Sequence, residues 1–311
     1  MKAVEVNGDH RLVLADAKMP EPQRNEALVR VHAISLNRGE VRRAASAAAG
    51  FRPGWDFAGV VEAPAGDGSG PKAGTRVVGL MPVGAWAEML AARTDMIAPL
   101  PDGVSFAQAA CLPVAGLTAL HALARRGDLI ARKVLITGAS GGVGHFACQL
   151  AKIAGAQVIA AIRSDAHVGF ARALGVDDVA VVGDEPARAA SLGPYDLILE
   201  SIGGASLAAS AKMLAPDGVC VAFGVSAGPQ ATIDIAPLYF TGRASIYGLG
   251  LFHELARREP ANVGLERLLS LLSRGRLKVH VAVEEPWEAI DEVARDLIAR
   301  RYLGKAVLTV K

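Results

Sequence analysis

Lys133-Val134-Leu135-Ile136-Thr137-Gly138-Ala139-Ser140-Gly141-Gly142-Val143-Gly144 sets an apolar, β-branched run against a glycine-rich turn, and a helix-compatible segment, His145–Ala154, follows at once. That order suits a pyrophosphate. A strand delivers the chain, glycines let the backbone approach the phosphates, and a helix N-terminus presents N–H groups without helical partners at its positive dipole end. A glycine-rich turn alone is a weak signal. Here a strand precedes, a helix follows and further strand–helix units continue, the context that marks a dinucleotide site. Gly141 falls where backbone would meet pyrophosphate and Gly144 where helix would pack on strand. Ala139 stands where the usual pattern has its first glycine.

The next strand of this region, Gln157–Ile162, ends at Arg163-Ser164. Arg163 lies 19 residues beyond Gly144, where an NAD site places an acidic side chain against the ribose hydroxyls. A guanidinium matches a phosphate in charge and in its fork of donors, so the expected coenzyme is NADPH. Asp165, two residues on, reads as the cap of the next helix. The turn also satisfies TGxxxGxG of the short-chain dehydrogenases, which place it near the N-terminus and need Tyr-x-x-x-Lys. None of Tyr195, Tyr239, Tyr247 and Tyr302 has a lysine four residues later, so that reading fails.

Metal chemistry finds little material. The three cysteines, Cys111, Cys148 and Cys220, are scattered, and the seven histidines show no paired spacing. Such a set does not furnish tetrahedral zinc sites. Cys148 and Cys220 read as small core residues. Three odd, distant thiols also fit a reducing, cytoplasmic setting.

The elements that must position these residues change character along the chain. Residues 1 to about 111 read as mostly β. Ala27–Ala33 alternates apolar and polar side chains, and short strand candidates recur at Ala58–Val61, Arg76–Gly79 and Ala87–Leu90, separated by turn-rich pieces such as Pro64–Pro71. This spacing fits a small, twisted, barrel-like domain. From 112 to 248 strand and helix alternate, with strands at Lys133–Thr137, Gln157–Ile162, Asp178–Val182, Leu197–Glu200, Gly218–Phe223 and Ser245–Gly248. Helices are expected at His145–Ala154, Ala166–Leu174 and Ala205–Leu214. Runs such as Leu197-Ile198-Leu199 are apolar on both faces, as parallel strands covered by helices must be. This is an α/β, doubly wound sheet. A helix Phe252–Ser273, a strand Leu277–Val283, a helix Pro286–Ala299 and a strand Lys305–Val310 follow; residues 249–311 are expected to return to the first domain.

Composition excludes other function classes. A chain of 311 residues with 51% hydrophobic and 21% charged residues is globular, with a length prior of about two domains. A net charge of +2 and few aromatics give no footing for nucleic acid or a membrane surface. No apolar run approaches the ~18 residues of a membrane span, and Glu5 interrupts the start where a signal peptide needs an apolar core.

Further motifs join the central turn: Ser35-Leu36-Asn37, Pro53-Gly54-Trp55-Asp56-Phe57-Ala58-Gly59-Val60-Val61, Ala115-Gly116-Leu117-Thr118-Ala119, Leu199-Glu200-Ser201-Ile202-Gly203-Gly204 and Gly304-Lys305-Ala306-Val307-Leu308-Thr309-Val310. Together they give a chain that resembles the medium-chain dehydrogenase/reductase superfamily, and within it the zinc-free quinone oxidoreductases of the ζ-crystallin type. The resemblance implies a Rossmann doubly wound parallel sheet (112–248) plus a GroES-like β-barrel catalytic domain (1–111, completed by 249–311). It implies coenzyme contacts from Ala139, Ser140, Gly141, Gly142, Val143, Gly144, Arg163, Ser164, Ser201, Phe223, Gly224 and Ser226. Thr118 and Leu249 would flank the nicotinamide, and Lys305 would reach it from the tail. Family members often carry Lys and Tyr near the 2′-phosphate, where His167 and Val182 stand here. Zinc-dependent members use a Cys, a Gly-His-Glu and a later Cys, with a four-cysteine lobe besides; this chain has Asn37, Gly54-Trp55-Asp56 and an early Cys111, and no such lobe.

Without a Lewis acid, simple alcohol oxidation lacks its catalyst, whereas a quinone or enone accepts hydride readily. The expected reaction is therefore NADPH-dependent hydride transfer to a quinone or activated C=C bond. Asn37 is the catalytic candidate, as hydrogen-bond partner of an acceptor oxygen or a coenzyme hydroxyl, against an ordinary turn role. Trp55 either walls the cleft or packs under the barrel. Arg42 and Arg43 either favour an anionic acceptor or lie on a solvated helix face. Two alternatives stay open, an NADPH-binding sensor with negligible turnover and an enoyl-thioester reductase. Ser245–Gly248 would be an exposed sheet edge, and with the resemblance it implies a homodimer.

Overall fold

The computed structural model describes all 311 residues, which divide into two compact units: Met1–Leu117 with Leu255–Lys311, and Thr118–Glu254. The divisions after Leu117 and after Glu254 each fall inside a helix, α3 (Pro113–Ala124) and α8 (Leu251–Arg257).

The discontinuous unit begins with a hairpin of β1 (Lys2–Val6) and β2 (Leu12–Asp16). Its main sheet centres on the ten-residue strand β3 (Glu26–Ser35), whose alternating burial places Val29, Val31 and Ile34 in the core. The first half of β3 pairs with β6 (Met89–Arg93), and its last residues pair with β15 (Lys305–Thr309). Its other edge carries β4 (Asp56–Ala63), followed by β5 (Arg76–Leu80) and β7 (Ile97–Pro99), while β14 (Val281–Pro286) lies outside β15. One strand sharing its length among three neighbours curls the sheet into the expected barrel-like form. Phe57, Trp86, Trp287 and Leu308 fill the core with these valines. Helices α1 (Arg38–Ala45), α2 (Phe106–Ala110), α9 (Ala261–Ser273) and α10 (Ile290–Ala299) complete the unit.

The second unit is a six-stranded, all-parallel sheet in the order β10-β9-β8-β11-β12-β13. Its strands are β8 (Lys133–Thr137), β9 (Gln157–Ile162), β10 (Asp178–Val181), β11 (Tyr195–Glu200), β12 (Leu214–Ala222) and β13 (Ser245–Gly248). Helices α4 (Gly142–Ile153), α5 (Val168–Ala173), α6 (Gly204–Lys212) and α7 (Ala236–Thr241) alternate with them. Strand order reverses between β8 and β11, which is where such sheets bind ligands. All three cysteines are buried and unpaired. Burial pushes the Cys148 thiol up to about 12 and raises Cys220 as well, which makes both inert core residues.

The tail departs from its sequence reading. The single helix expected over Phe252–Ser273 is two, α8 and α9, because Pro260 bars the residue before it from helical geometry and itself stands at the N-cap of α9. The strand expected over Leu277–Val283 runs instead over Val281–Pro286, in the register that pairs Val281 with Lys305 and Pro286 with Thr309.

Two glycines separate packing from propensity. A Cβ on Gly59 would lie 2.0 Å from the Arg30 carbonyl oxygen across the β3–β4 pair, whereas one on Gly169 in α5 meets nothing within 4 Å. Gly59→Ala will lower stability by about 2 kcal/mol or more, and Gly169→Ala will raise it by about 0.4–1 kcal/mol. Urea unfolding midpoints check both.

Candidate active site

The turn after β8 is held by short backbone bonds. Gly141 N–H donates to the Gly138 carbonyl at 2.9 Å and Ala139 N–H to the Ala161 carbonyl at 3.2 Å, tying the turn to the end of β9. A Cβ on Gly144 would lie 2.3 Å from the Gly138 oxygen and 2.6 Å from the Ala139 Cα. Helix α4 therefore packs so closely on the turn that only hydrogen fits, and Gly141, its N-cap, is exposed. Ala139 is buried, so the position that usually carries glycine tolerates a methyl group. The helix N-terminus leaves first-turn N–H groups for an anion. This is a cradle that a diphosphate fits.

Because the sheet is parallel, every other expected coenzyme residue of this unit except Thr118 follows the carboxyl end of a strand: Arg163 and Ser164 after β9, Ser201 after β11, Phe223, Gly224 and Ser226 after β12, Leu249 after β13. Ser201 faces the turn directly. Its N–H donates to Thr137 Oγ1 at 2.9 Å and its Oγ to the Thr137 carbonyl at 3.1 Å. Gly224 crosses Ser201 so closely that a Cβ would sit 2.4 Å from the Ser201 oxygen. Thr118 and Leu249 are buried.

Sequence reasoning passed over what rigidifies these loops. Glu200 is fully buried at the end of β11 and accepts from Ser206 Oγ at 2.7 Å, Gly203 N–H at 2.8 Å and Ile202 N–H at 3.1 Å. Thr137 Oγ1 adds a fourth donor at 3.3 Å, and a buried carboxyl group so held fixes the chain that carries Ser201.

Past the carboxyl end of β9, Arg163 and Ser164 are exposed, and Arg163 pairs with Asp184. His167 Nδ1 lies 3.5 Å from Ser140 Oγ, which brings the loop after β9 against the turn. Ser164, not Asp165, caps the helical segment here: Ser164 Oγ accepts from Ala166 N–H, and Asp165 opens the first turn. Val182 is buried.

The barrel-like unit holds a second polar assembly. Asn37 precedes α1, and its Nδ2 donates to Glu40 Oε1 at 2.9 Å and to Asp56 Oδ2 at 2.8 Å. Asn37 Oδ1 accepts from Lys305 Nζ at 2.7 Å. That ammonium also donates to the Leu36 carbonyl at 3.0 Å and lies 3.5 Å from Asp56 Oδ2. Asp56 Oδ1 accepts from Val114 N–H at the start of α3. Glu40, Asp56 and Lys305 are each at most 2% exposed. Burial, together with the Asp56 charge, holds the Glu40 carboxyl well above the usual range. Burial raises Asp56 too, offset by Lys305, Asn37 and Val114. Lys305 and Asp56 thus face each other as an ion pair within the cluster. Glu40 Oε2 has no partner.

This arrangement revises two expectations. Both N–H groups of Asn37 are spent inside the unit, so it has none for an acceptor oxygen; what it retains is a second lone pair on Oδ1, suited to a hydroxyl donor. Lys305 is turned inward, toward Leu36 and Asn37, rather than out from the tail. Trp55 is half-buried against Gly39 and donates to the Pro82 carbonyl, while Trp86 and Trp287 are the tryptophans buried in the core of the unit. Arg42 and Arg43 lie on the exposed face of α1.

The donor set does not suit zinc. Two of the positions where zinc-dependent relatives carry ligands, Asn37 and Asp56, already surround a lysine ammonium. Burial pushes the third candidate, the Cys111 thiol, up to about 12, which keeps it protonated. No group of three His, Cys, Asp or Glu side chains is placed to hold a metal ion.

Gly144→Ala will weaken dinucleotide binding roughly tenfold or more, because the methyl group must lift α4 from the turn; fluorescence titration reads it. The raised Glu40 carboxyl has a definite pH signature. The native state keeps a proton that the unfolded chain releases above the ordinary glutamate value of 4.5, so this contribution lowers stability as pH rises from there toward neutrality. Glu40→Gln, neutral at every pH, will flatten that slope in urea unfolding between pH 5 and 8.

Comparison with known proteins places the chain. The zinc-binding dehydrogenase family matches residues 142–263, and the alcohol dehydrogenase GroES-like domain family matches residues 23–102. A quinone oxidoreductase of Pseudomonas aeruginosa is 30% identical, over 97% of this chain and 96% of its own. A polyketide synthase system protein, NorB of Streptomyces orinoci, is 37% identical over 91% of this chain, which spans only 13% of that protein. The quinone oxidoreductase of Thermus thermophilus, solved also in complex with NADPH, superposes with a TM-score of 0.85 at 30% identity, over all of both chains. No helix is long and apolar enough to cross a membrane. The glycine-rich turn on a parallel sheet, the GroES-like barrel unit and this full-length likeness agree, and the chain belongs to the medium-chain dehydrogenase/reductase superfamily, in its quinone oxidoreductase branch.

Proposed function

We propose that this protein is a zinc-independent, NADPH-dependent reductase that delivers hydride to a quinone or to a C=C bond activated by a carbonyl group. The observation that carries the reading is the packing of Gly144 on the turn, where a Cβ would lie 2.3 Å from the Gly138 oxygen; it supports a turn and helix N-terminus arranged for a diphosphate. The coenzyme choice rests on Arg163 at the end of β9 and is supported by the NADPH complex of the Thermus relative.

When bound, NADPH supplies the hydride. The protein's work is binding and orientation. Backbone from Ala139 to Gly144 holds the diphosphate, with Ser140 at its rim. Arg163 and Ser164 take the adenosine 2′-phosphate. Ser201, held by Thr137 and the Glu200 loop, lines the coenzyme with Phe223, Gly224 and Ser226, and Thr118 and Leu249 flank the nicotinamide. Asn37 presents Oδ1 to a hydroxyl, and Lys305 and Asp56 act through it by fixing the amide. The reduced acceptor takes its proton from water. An electron-poor acceptor needs no metal to polarise it, which agrees with a donor set built around an ammonium.

A second reading, reduction of an enoyl thioester, is favoured by the polyketide synthase relative, whose identity exceeds that of the quinone oxidoreductase. We also assign a homodimer, paired through β13, which ends the sheet with a free edge.

Steady-state NADPH oxidation against quinones, enals and acyl thioesters, with metal analysis alongside, tests the function. Turnover of a quinone or enal, undiminished by chelators, is the expected result. Turnover confined to acyl thioesters selects the second reading, and loss of activity on chelation or tighter binding of NADH than NADPH overturns the first.

A further inference from the structure

The guanidinium assigned to the coenzyme's 2′-phosphate already has a partner. Arg163 Nη2 donates to Asp184 Oδ1 at 3.1 Å. Arg163 leaves the carboxyl end of β9 and Asp184 follows β10, its parallel neighbour, so the pair closes over the end of the sheet. The next acid, Glu185, is taken by Arg188 through bonds of 3.0 and 3.1 Å, which leaves Asp184 as the carboxylate that answers Arg163. Both side chains are exposed, at 60% and 88%, so the ion pair is weak and exchangeable.

A carboxylate and a phosphate monoester ask the same thing of an arginine: oxygens accepting charge-assisted hydrogen bonds from one planar fork. We propose that Asp184 tempers the coenzyme preference, because its carboxylate holds part of the guanidinium that a 2′-phosphate needs and competes with that phosphate when NADPH binds. NADH, which has a hydroxyl there, asks for no such exchange. Asp184 thereby limits the discrimination that Arg163 provides. This inference rests on the reading of Arg163 as the phosphate ligand.

The test uses the whole chain in four forms: wild type, Asp184→Asn, Arg163→Gln and the double variant. NADPH and NADH affinities are read by titrating dihydronicotinamide fluorescence at low ionic strength. Asp184→Asn should tighten NADPH binding about twofold to fivefold, the range open to an exposed ion pair, with NADH unchanged. That gain should vanish in the Arg163→Gln background. No gain, an equal gain for both coenzymes, or a gain that persists without Arg163 overturns the proposal. Arg163→Gln alone reports on the underlying reading: selective loss of NADPH affinity upholds it, and no selective loss removes it and the proposal together. Both positions are exposed, so circular dichroism and unfolding midpoints will match wild type and binding changes read directly.

Discussion

An ammonium buried in a barrel core must be answered by acceptors, since removing an ion from water costs several kcal/mol that only close partners offset. Lys305 meets that demand with the Leu36 carbonyl, the Asn37 amide oxygen and the Asp56 carboxylate. Three stretches remote in sequence are therefore fixed to one point. Asn37 cannot rotate its amide without facing an ammonium with N–H groups, and Asp56 is also bound to Val114 N–H at the start of α3. Burial and the neighbouring Asp56 charge both raise the Glu40 carboxyl, so a second anion there is disfavoured. At this point the barrel-like unit gathers one fixed ammonium and the acceptors that surround it.

The parallel sheet works by the same economy of position. Six strands pointing one way bring six loops to one edge, so residues from 139 to 249 meet there without any long excursion. Two devices hold the edge still. One is steric, the absence of side chains at Gly144 and Gly224 where backbones cross. The other is polar, the Glu200 carboxylate drawing in the N–H groups of Ile202 and Gly203.

Much of this was legible in the chain. The strand–turn–helix at 133–154 and the apolar runs of β11 and β12 are local signals, and local signals survive folding. Helix breaks were legible too, though less used: Arg258, Glu259 and Pro260 separate α8 from α9, and the proline marks the break. The capping spacing Asn37-x-x-Glu40 was visible and would have singled out Glu40, whose carboxyl accepts from Asn37 N–H. What sequence could not show is direction. Nothing in Gly304-Lys305-Ala306 says that the lysine points inward, because its partners lie 268 and 269 residues away. Glu200 looked like one letter of a motif, and only the fold reveals how many donors converge on it. The start of β14 was likewise set by its pairing with β15 rather than by its own pattern.

The path of the chain through the barrel-like unit has a consequence for how the protein is made. Strand β15 is inserted between β14 and β3, and it carries the ammonium that Asn37 and Asp56 surround. While the ribosome is still producing residues 118–254, the first 117 have neither that strand nor that cation, and Asp56, destined for burial, lacks its ionic partner. The dinucleotide unit is continuous and can close during synthesis, whereas the earlier-born unit must wait for the last. Assembly therefore runs against the order of translation.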